Sequence, residues 1–262
     1  MSTIPRLASF ALSFMIPAAL GPPHADAQDI LVTDCGTVIA GKGQVGVLQN
    51  DIDCITAGVN SGAILMTHRT TLRLNGFSIR SAAFAIDCVG KCTIEGPGAI
   101  TTDGNACGIQ VAQNTKARLE LSDLDIHDNA KGICAGSPTS VKTQLTDVTV
   151  RNSTSVGIGG ATFRAGKVKG SGVTVTDNGS QGIAADKIRL KASSIQGNGQ
   201  SGIFGKSVKL SDTEVSGSVA AADLATAKRP KLKGTSTCGA SSELSEYPAA
   251  TFGPSWNVCA DD

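Results

Sequence analysis

Aromatic side chains are scarce in this sequence: they make up 3% of its 262 residues, with one Trp and one Tyr. Surfaces that stack nucleic-acid bases or sugar rings use several exposed aromatic rings. The composition therefore argues against a base-stacking protein and against an aromatic-lined sugar groove. A strong net charge is also missing, because 23 basic residues face 22 acidic ones. Net charge gives no support for a nucleic-acid partner, and we expect none.

Long hydrophobic runs are missing as well, apart from Leu7 to Leu20 near the start. This run is too short to span a membrane. It follows Arg6 and precedes the small residues "ADA" at Ala25 to Ala27, which is the pattern of an export signal with a cleavage site. We therefore expect residues 1–27 to be a signal peptide, no membrane span, and a secreted, periplasmic or otherwise extracellular location.

Eight cysteines follow the predicted signal, and an even number in an exported protein indicates disulfide bonds. Their spacings contain no C-x-x-C pair, and neither His68 nor His127 stands at a ligand spacing from them, so we predict no metal site. The cysteines are Cys35, Cys54, Cys88, Cys92, Cys107, Cys134, Cys238 and Cys259.

A repeat of 20 to 25 residues runs through most of the chain. "VTVRNSTSVGI", "VTVTDNGSQGI" and "SSIQGNGQSGI" are three successive copies. Each copy ends in a small residue followed by an aliphatic one, which we call the anchor. The anchors are Ile64, Ile86, Ile109, Ile133, Ile158, Ile183, Ile203 and Leu224. A fixed period of this length is typical of solenoid proteins.

Each copy reads as three short strands. In "RLELSDLDIHDNAKGI", Leu119, Leu121, Leu124 and Ile126 alternate with polar residues, and a turn precedes the anchor Ile133. One copy cannot bury its apolar side alone, whereas stacked copies can, since each strand pairs with its equivalent one coil away. Stacking also places the turn residues in one column, namely Asn129, Ser153, Asn178 and Asn198.

The sequence resembles right-handed parallel β-helix proteins of the pectate-lyase-like superfamily, which share this coil length, three strands per coil and an asparagine-bearing turn. The resemblance covers about Ile64 to Leu224. It implies an all-β fold, a single-stranded right-handed parallel β-helix of about eight coils. It implies little about function. Hydrolases of this fold usually carry paired aspartates, and the sole Asp-Asp here is Asp261–Asp262 at the chain end.

The ends of the stack expose sheet edges, so we expect them to be capped. Residues 28–63 are predicted to form a cap and an atypical first coil, residues 64–225 the regular coils, and residues 226–262 a C-terminal cap in which Phe252 and Trp256 cover the last coil. The predicted disulfides are Cys35–Cys54 and Cys238–Cys259 at the ends and Cys88–Cys92 in a short loop.

The remaining two cysteines stand at different positions relative to their anchors. An ideal stack holds Cys107 and Cys134 about 10 Å apart. We expect two free buried thiols there, unless an irregular turn permits a bond.

One candidate site combines Asp125, His127 and Arg151 on the predicted second strands of neighbouring coils. A histidine between carboxylates can act as a general base on an acidic sugar, with the arginine neutralising the sugar carboxylate. This would make the chain a small polysaccharide lyase or epimerase acting on uronate-containing glycans, with calcium held near Asp123, Asp125 and Asp128. Ordinary solvated side chains explain the same pattern, so whether the chain is an enzyme stays open.

The other candidate site is a column of one cation per coil, Lys169, Arg189 and Lys209. Residues 164–233 contain 12 basic and 5 acidic residues, whereas residues 28–163 contain 10 and 12. A basic surface suits a polyanion such as an acidic polysaccharide. Lysines that protect sheet edges and keep the protein soluble are the alternative explanation. We expect an exported, monomeric β-helix that presents a binding surface and needs no cofactor.

Overall fold

The chain forms an all-β parallel solenoid of about eight turns. The computed structural model describes residues 29–57, 62–104, 106–112, 117–135, 141–159, 166–220, 222–247 and 251–262. The predicted signal peptide lies outside the described residues. Within the described part of the chain there is no helix, and hence none long and apolar enough to cross a membrane.

Three parallel sheets run along the stack, and most coils contribute one strand segment to each sheet; the first coil has no second-sheet strand between Val32 and Thr37. The first sheet contains β1 (Ile30–Val32), β3 (Val45–Leu48), β6 (Thr70–Arg73), β14 (Lys167–Ser171) and β21 (Lys231–Lys233). The second contains β4 (Ile52–Cys54), β7 (Ser78–Ser81), β15 (Thr174–Thr176), β17 (Ser194–Gln196), β19 (Glu214–Ser216) and β22 (Thr237–Cys238).

Longer strands pass through a bend and join two sheets. The first and second sheets share β9 (Lys91–Thr102), β11 (Arg118–His127) and β13 (Lys142–Arg151). The third sheet contains β2 (Thr37–Ile39), β5 (Ile64–Met66), β8 (Ile86–Cys88), β10 (Cys107–Val111), β12 (Lys131–Ala135), β20 (Leu224–Thr226) and β23 (Ser241–Glu246). It shares β16 (Ile183–Lys191) and β18 (Ile203–Ser211) with the first sheet.

The predicted anchors form one continuous column through the third sheet. Ile64 pairs with Ile86 and the register continues without a break to Leu224, with Ile158 joined to its neighbours by isolated bridges. All eight anchor side chains are at most 3% exposed. Since each aliphatic column is continued by the next coil, the main apolar core runs along the whole stack. A second, smaller cluster of buried residues contains Val156, Ala184, Phe204, Ala225 and Leu244.

The bends between the first and second sheets use residues that tolerate left-handed backbone. Asp123, Asp147 and Asp212 adopt positive φ angles of 55°, 53° and 52° there, and Gly172 has a φ of 66°. Asp and Asn reach this conformation more easily than other residues with side chains because they can hydrogen-bond locally. Ala192 takes the same position with a φ of 47°, so this one-residue bend recurs whether or not a polar pair marks it in the sequence.

The turn column between the second and third sheets is a buried amide ladder, as expected. Asn178 Nδ2 donates to Asn198 Oδ1 at 3.0 Å, and the Asn178 backbone N–H donates to the same oxygen at 3.3 Å. The backbone N–H of Ser153 donates to Asn178 Oδ1 at 3.0 Å. Asn129, Ser153, Asn178 and Asn198 are all at most 2% exposed. Hydrogen bonds of this kind tie the coils of Ser153, Asn178 and Asn198 together, whereas the buried Oδ1 of Asn129 has no hydrogen-bond partner among the described atoms.

The three predicted disulfides are confirmed: Cys35–Cys54, Cys88–Cys92 and Cys238–Cys259. The expectation of free thiols at Cys107 and Cys134 is wrong, because these residues form a fourth bond. Three residues of straight strand would hold them about 10 Å apart, but their Cα atoms are 6.0 Å apart. The chain therefore bends within β12, which is the irregularity that a bond requires.

The C-terminal segment covers the last coil differently from the prediction. The Trp256 indole N–H donates to the Thr226 carbonyl at 3.2 Å, which fits a capping role. Phe252 is 46% exposed and does not cover the core, because it lies on β24 (Thr251–Phe252), the outermost, antiparallel strand beside β23. Tyr247 packs instead, stacked on Phe204 with ring centroids 5.6 Å apart.

Candidate functional site

The outward cations predicted on the first sheet lie in register on consecutive coils. Lys169 pairs with Arg189, Arg189 with Lys209, and Lys209 with Lys231. All four side chains are exposed. Neighbouring strands are about 4.8 Å apart, so the four cations follow a line of about 14 Å along the solenoid axis.

Further cations flank this column on both sides, and the sequence alone did not reveal them as part of the same surface. Lys142, Lys167 and Lys187 form a parallel column two residues before it. Lys191 and Lys233 stand two residues after it. We call the nine together the basic face: Lys142, Lys167, Lys169, Lys187, Arg189, Lys191, Lys209, Lys231 and Lys233. The outward positions of the first sheet over these coils hold no acidic residue.

The cations of the basic face have no anionic partner among the described residues. All the ion pairs found there join residues between Asp53 and Arg151. Partial burial, followed by repulsion from Arg189, Lys169, Lys142 and Lys187, lowers the pKa of Lys167. The face is therefore a concentrated positive surface without ion pairs in the described part of the chain. Hydrogen bonds from Thr235 and Ser211 lower the pKa of the Asp212 carboxyl, and Lys191 is near enough to contribute to that lowering after them.

The basic face has an abrupt end on its N-terminal side. Gln144 precedes Lys169 in the central column, and Glu120 precedes Gln144. Glu120 forms ion pairs with Arg118 and with Lys91, the latter at 3.6 Å. The column therefore changes from free cations to a neutralised cluster within two coils, which limits where a polyanion can lie.

A shallow pocket of about 290 Å³ opens within the basic face around Gly170. Gly170 occupies an inward column that holds Leu145 and Leu190 in the neighbouring coils. A Cβ atom on Gly170 would lie 2.5 Å from Val173 Cγ2, so the backbone lies close to the core there. The outer rim of the pocket is formed by Gln144, Thr146, Lys169, Ser171, Arg189 and Lys191.

The structure also brings together the second candidate set. His127 pairs with Arg151 across neighbouring strands, and Asp125 lies beside both. Arg151 donates to both carboxylate oxygens of Asp125, at 3.2 and 2.8 Å, and these hydrogen bonds raise the pKa of Arg151. The hydrogen bond between His127 Nδ1 and Asp128, 2.7 Å long, lowers the pKa of Asp128. The guanidinium of Arg151 is thus already occupied.

No metal site is formed by these carboxylates. Across the described ranges, no group of three or more His, Cys, Asp or Glu side chains is placed to hold a metal ion. Asp125 is taken by Arg151 and Asp128 by His127, so Asp123, Asp125 and Asp128 do not make the calcium site that the enzyme hypothesis would use.

The sequence contained a usable signal for the pocket. In "KVKGSG", Gly170 interrupts the inward aliphatic column directly after Lys167 and Lys169, but the column could be recognised only once the coils were in register.

Comparison of the chain with known protein families, with curated protein sequences and with solved structures found no match.

Proposed function

We propose that this protein is an exported β-solenoid that binds an acidic polysaccharide on the basic face and does not cleave it. The observation that carries the proposal is the register of Lys169, Arg189 and Lys209 on three consecutive coils, exposed and without an anionic partner in the described chain. A linear polyanion lying along the axis would meet one cation about every 4.8 Å.

The arrangement costs the protein stability and is therefore not explained by folding. Like charges on adjacent strands repel one another, and no carboxylate of the first sheet offsets them in these coils. Edge protection accounts for Lys231 and Lys233 on β21, the first sheet's last strand. It does not account for Lys169 or Arg189, which lie on interior strands.

Export and family membership are part of the proposal. Four disulfides fit an oxidising compartment outside the cytoplasm, and the predicted signal peptide would direct the chain there. We assign the protein to the pectate-lyase-like β-helices as a proposal that rests on the coil length and the asparagine ladder.

A lyase or epimerase using His127, Arg151 and Asp125 is the second candidate. The observation in its favour is the hydrogen-bonded cluster itself, with His127 held by Asp128. We place it second because Arg151 is paired in bidentate fashion with Asp125, so its positive charge is already compensated by a carboxylate of the protein.

The test measures retention of the mature protein on immobilised polygalacturonate. Reversing Lys169, Arg189 and Lys209 to Glu should abolish retention, and His127→Ala should leave it unchanged. A matched control reverses three cations outside the basic face, Lys42, Lys131 and Lys228, with the same change in net charge. Retention of the wild type should fall steeply with salt, because exposed charges are screened over about 8 Å at physiological ionic strength.

Two outcomes would contradict the proposal. Equal loss of retention in the control would show that net charge, not the basic face, governs binding. Release of new reducing ends or unsaturated uronates by the wild type, stopped by His127→Ala, would establish the enzyme instead.

A further inference from the structure

The pocket around Gly170 differs from the rest of the basic face in the chemistry that surrounds it. Elsewhere the outward positions of the face hold cations together with Ser207 and Ser211. At the pocket, the side chains of Lys169, Arg189 and Lys191 meet the polar groups of Gln144, Thr146 and Ser171. Lys and Arg side chains only donate hydrogen bonds, whereas hydroxyl and amide groups both donate and accept them, as the hydroxyls of a sugar do.

The shape of the pocket also separates it from its neighbours. Leu145 and Leu190 contribute to its lining together with Gly170, and both leucines are at most 3% exposed. An apolar surface with a few convergent polar groups is the usual composition of a small-ligand site. Its volume of about 290 Å³ is at the lower end for such sites, so it suits a single small unit rather than a chain.

The pocket lies at one end of the central column of cations. Lys169 and Arg189 belong both to the pocket rim and to the central column. A ligand group seated in the pocket would thus continue directly into a polymer lying on Lys209 and Lys231. Gln144 and the neutralised Glu120 follow on the other side, where the cations end.

We infer that the pocket around Gly170 is a selectivity subsite that holds one anionic sugar unit of the bound polysaccharide. Arg189, Lys169 and Lys191 pair with its acidic group, while Gln144, Thr146 and Ser171 bind its hydroxyls. This inference rests on the proposed function, since it names the part of the basic face that distinguishes a sugar polymer from any other polyanion.

The experiment fills the pocket without changing a charge. Ser171→Ile places a β-branched side chain, which strands accept, on the pocket rim. Ser211→Ile is the matched control, because Ser211 follows Lys209 as Ser171 follows Lys169 and shares its column two coils away. Binding of each protein is measured with two probes, an oligogalacturonate and a polyglutamate of similar charge, with thermal unfolding as a check of folding.

We expect Ser171→Ile to weaken oligogalacturonate binding about tenfold or more, which is about 1.4 kcal/mol, with polyglutamate binding unchanged. Ser211→Ile should leave both affinities at the wild-type level. Equal weakening for both probes, or no weakening for either, would overturn the inference while leaving the basic face as a polyanion site. If the wild type bound neither probe, that result would instead overturn the proposed function, and the inference with it.

Discussion

One stack of coils contains two regions that differ in the pairing of their charged side chains. The first region is residues 29–151 and the second is residues 166–233. In the first region cations are paired: Arg73 with Glu95, Lys91 and Arg118 with Glu120, and Arg151 with Asp125. In the second region the described chain shows no ion pair, although it carries most of the basic face. The same fold therefore accommodates a neutralised surface and a concentrated positive one.

The links between coils differ in the same way. Three disulfides fall in the first region, whereas no cysteine occurs between Cys134 and Cys238. The second region contains the well-connected part of the amide ladder, Asn178 on Asn198. Because these amides are buried, they connect coils without using surface side chains. The disulfide cysteines of the first region are largely buried as well, so the two regions differ in the kind of link between coils and in the pairing of surface charge, not in how much outer surface the links use.

Ile158 lies where the two regions join, and its replacement should have the largest effect. It is 1% exposed and bridges Ile133 and Ile183. Ile158→Asp would bury an unpaired carboxylate between two coils, so we expect a loss of about 4 kcal/mol or more in unfolding free energy. Urea unfolding followed by circular dichroism measures it. Ile158→Val is the control, with an expected loss of about 0.5–1.5 kcal/mol; equal losses for both variants would contradict the buried position.

Removing a disulfide of the first region should have the next largest effect. The Cys107–Cys134 bond closes a loop with a sequence separation of 27, and Cys88–Cys92 closes one of 4. Loop-closure entropy predicts a loss of about 3.5 kcal/mol for the double Ser variant of the first pair and about 2 for the second. Urea unfolding compares the two double variants. Mass mapping of non-reduced peptides is the direct control, and a free thiol at Cys134 in the wild type would refute the bond.

The amide ladder of the second region can be lengthened toward the first region by placing an asparagine at position 153. Ser153 stands where the other coils have Asn, and its Oγ has no hydrogen-bond partner among the described atoms. Gly132 in the preceding coil faces it, as Gly157 faces Asn178, so an amide would have room. Ser153→Asn should raise the unfolding free energy by about 1 kcal/mol. Asn178→Ser, the reverse change, should lower it, and an opposite sign in either variant would contradict the ladder.

The sequence could predict what depends on repetition. A column such as Ile133, Ile158 and Ile183 follows from the period alone, as do the register of Lys169 with Arg189 and the asparagine ladder. It could not predict what depends on a departure from the repeat. The bend that brings Cys107 close to Cys134 is a local irregularity. The exposure of Phe252 follows from an antiparallel strand that is not part of the repeat.

In the candidate site, too, the sequence predicted the part that repeats in each coil and missed the rest. Three of the nine cations were predicted as a column, because one cation recurs per coil. The flanking columns were not predicted, because the sequence interpretation followed only one outward position per coil; the alignment of Lys142, Lys167 and Lys187 came from the strand register. The pocket required knowing that Gly170 falls in the column of Leu145 and Leu190, which only the register of the strands shows.

The smallest effect should come from relieving repulsion within the basic face itself. Burial and neighbouring cations lower the pKa of Lys167 in the folded protein below its usual value of 10.5. A lysine with a lowered folded pKa destabilises the fold at every pH where it is charged in both states. Lys167→Gln should therefore raise the melting temperature slightly at pH 7. Lys42→Gln, an exposed lysine far from the basic face, should leave it unchanged.

Two dependences distinguish this repulsion from an incidental packing effect. As pH rises above about 10.5, Lys167 becomes neutral in both the folded and the unfolded chain, so the advantage of Lys167→Gln should disappear. Added salt at pH 7 should also reduce it, because salt screens the charges of Arg189, Lys169, Lys142 and Lys187. Differential scanning calorimetry across pH and salt measures both. If the gain in melting temperature of Lys167→Gln stayed the same at all pH values and salt concentrations, repulsion between the cations would not destabilise the second region. The two regions would then differ in surface charge but not in the stability cost of that charge.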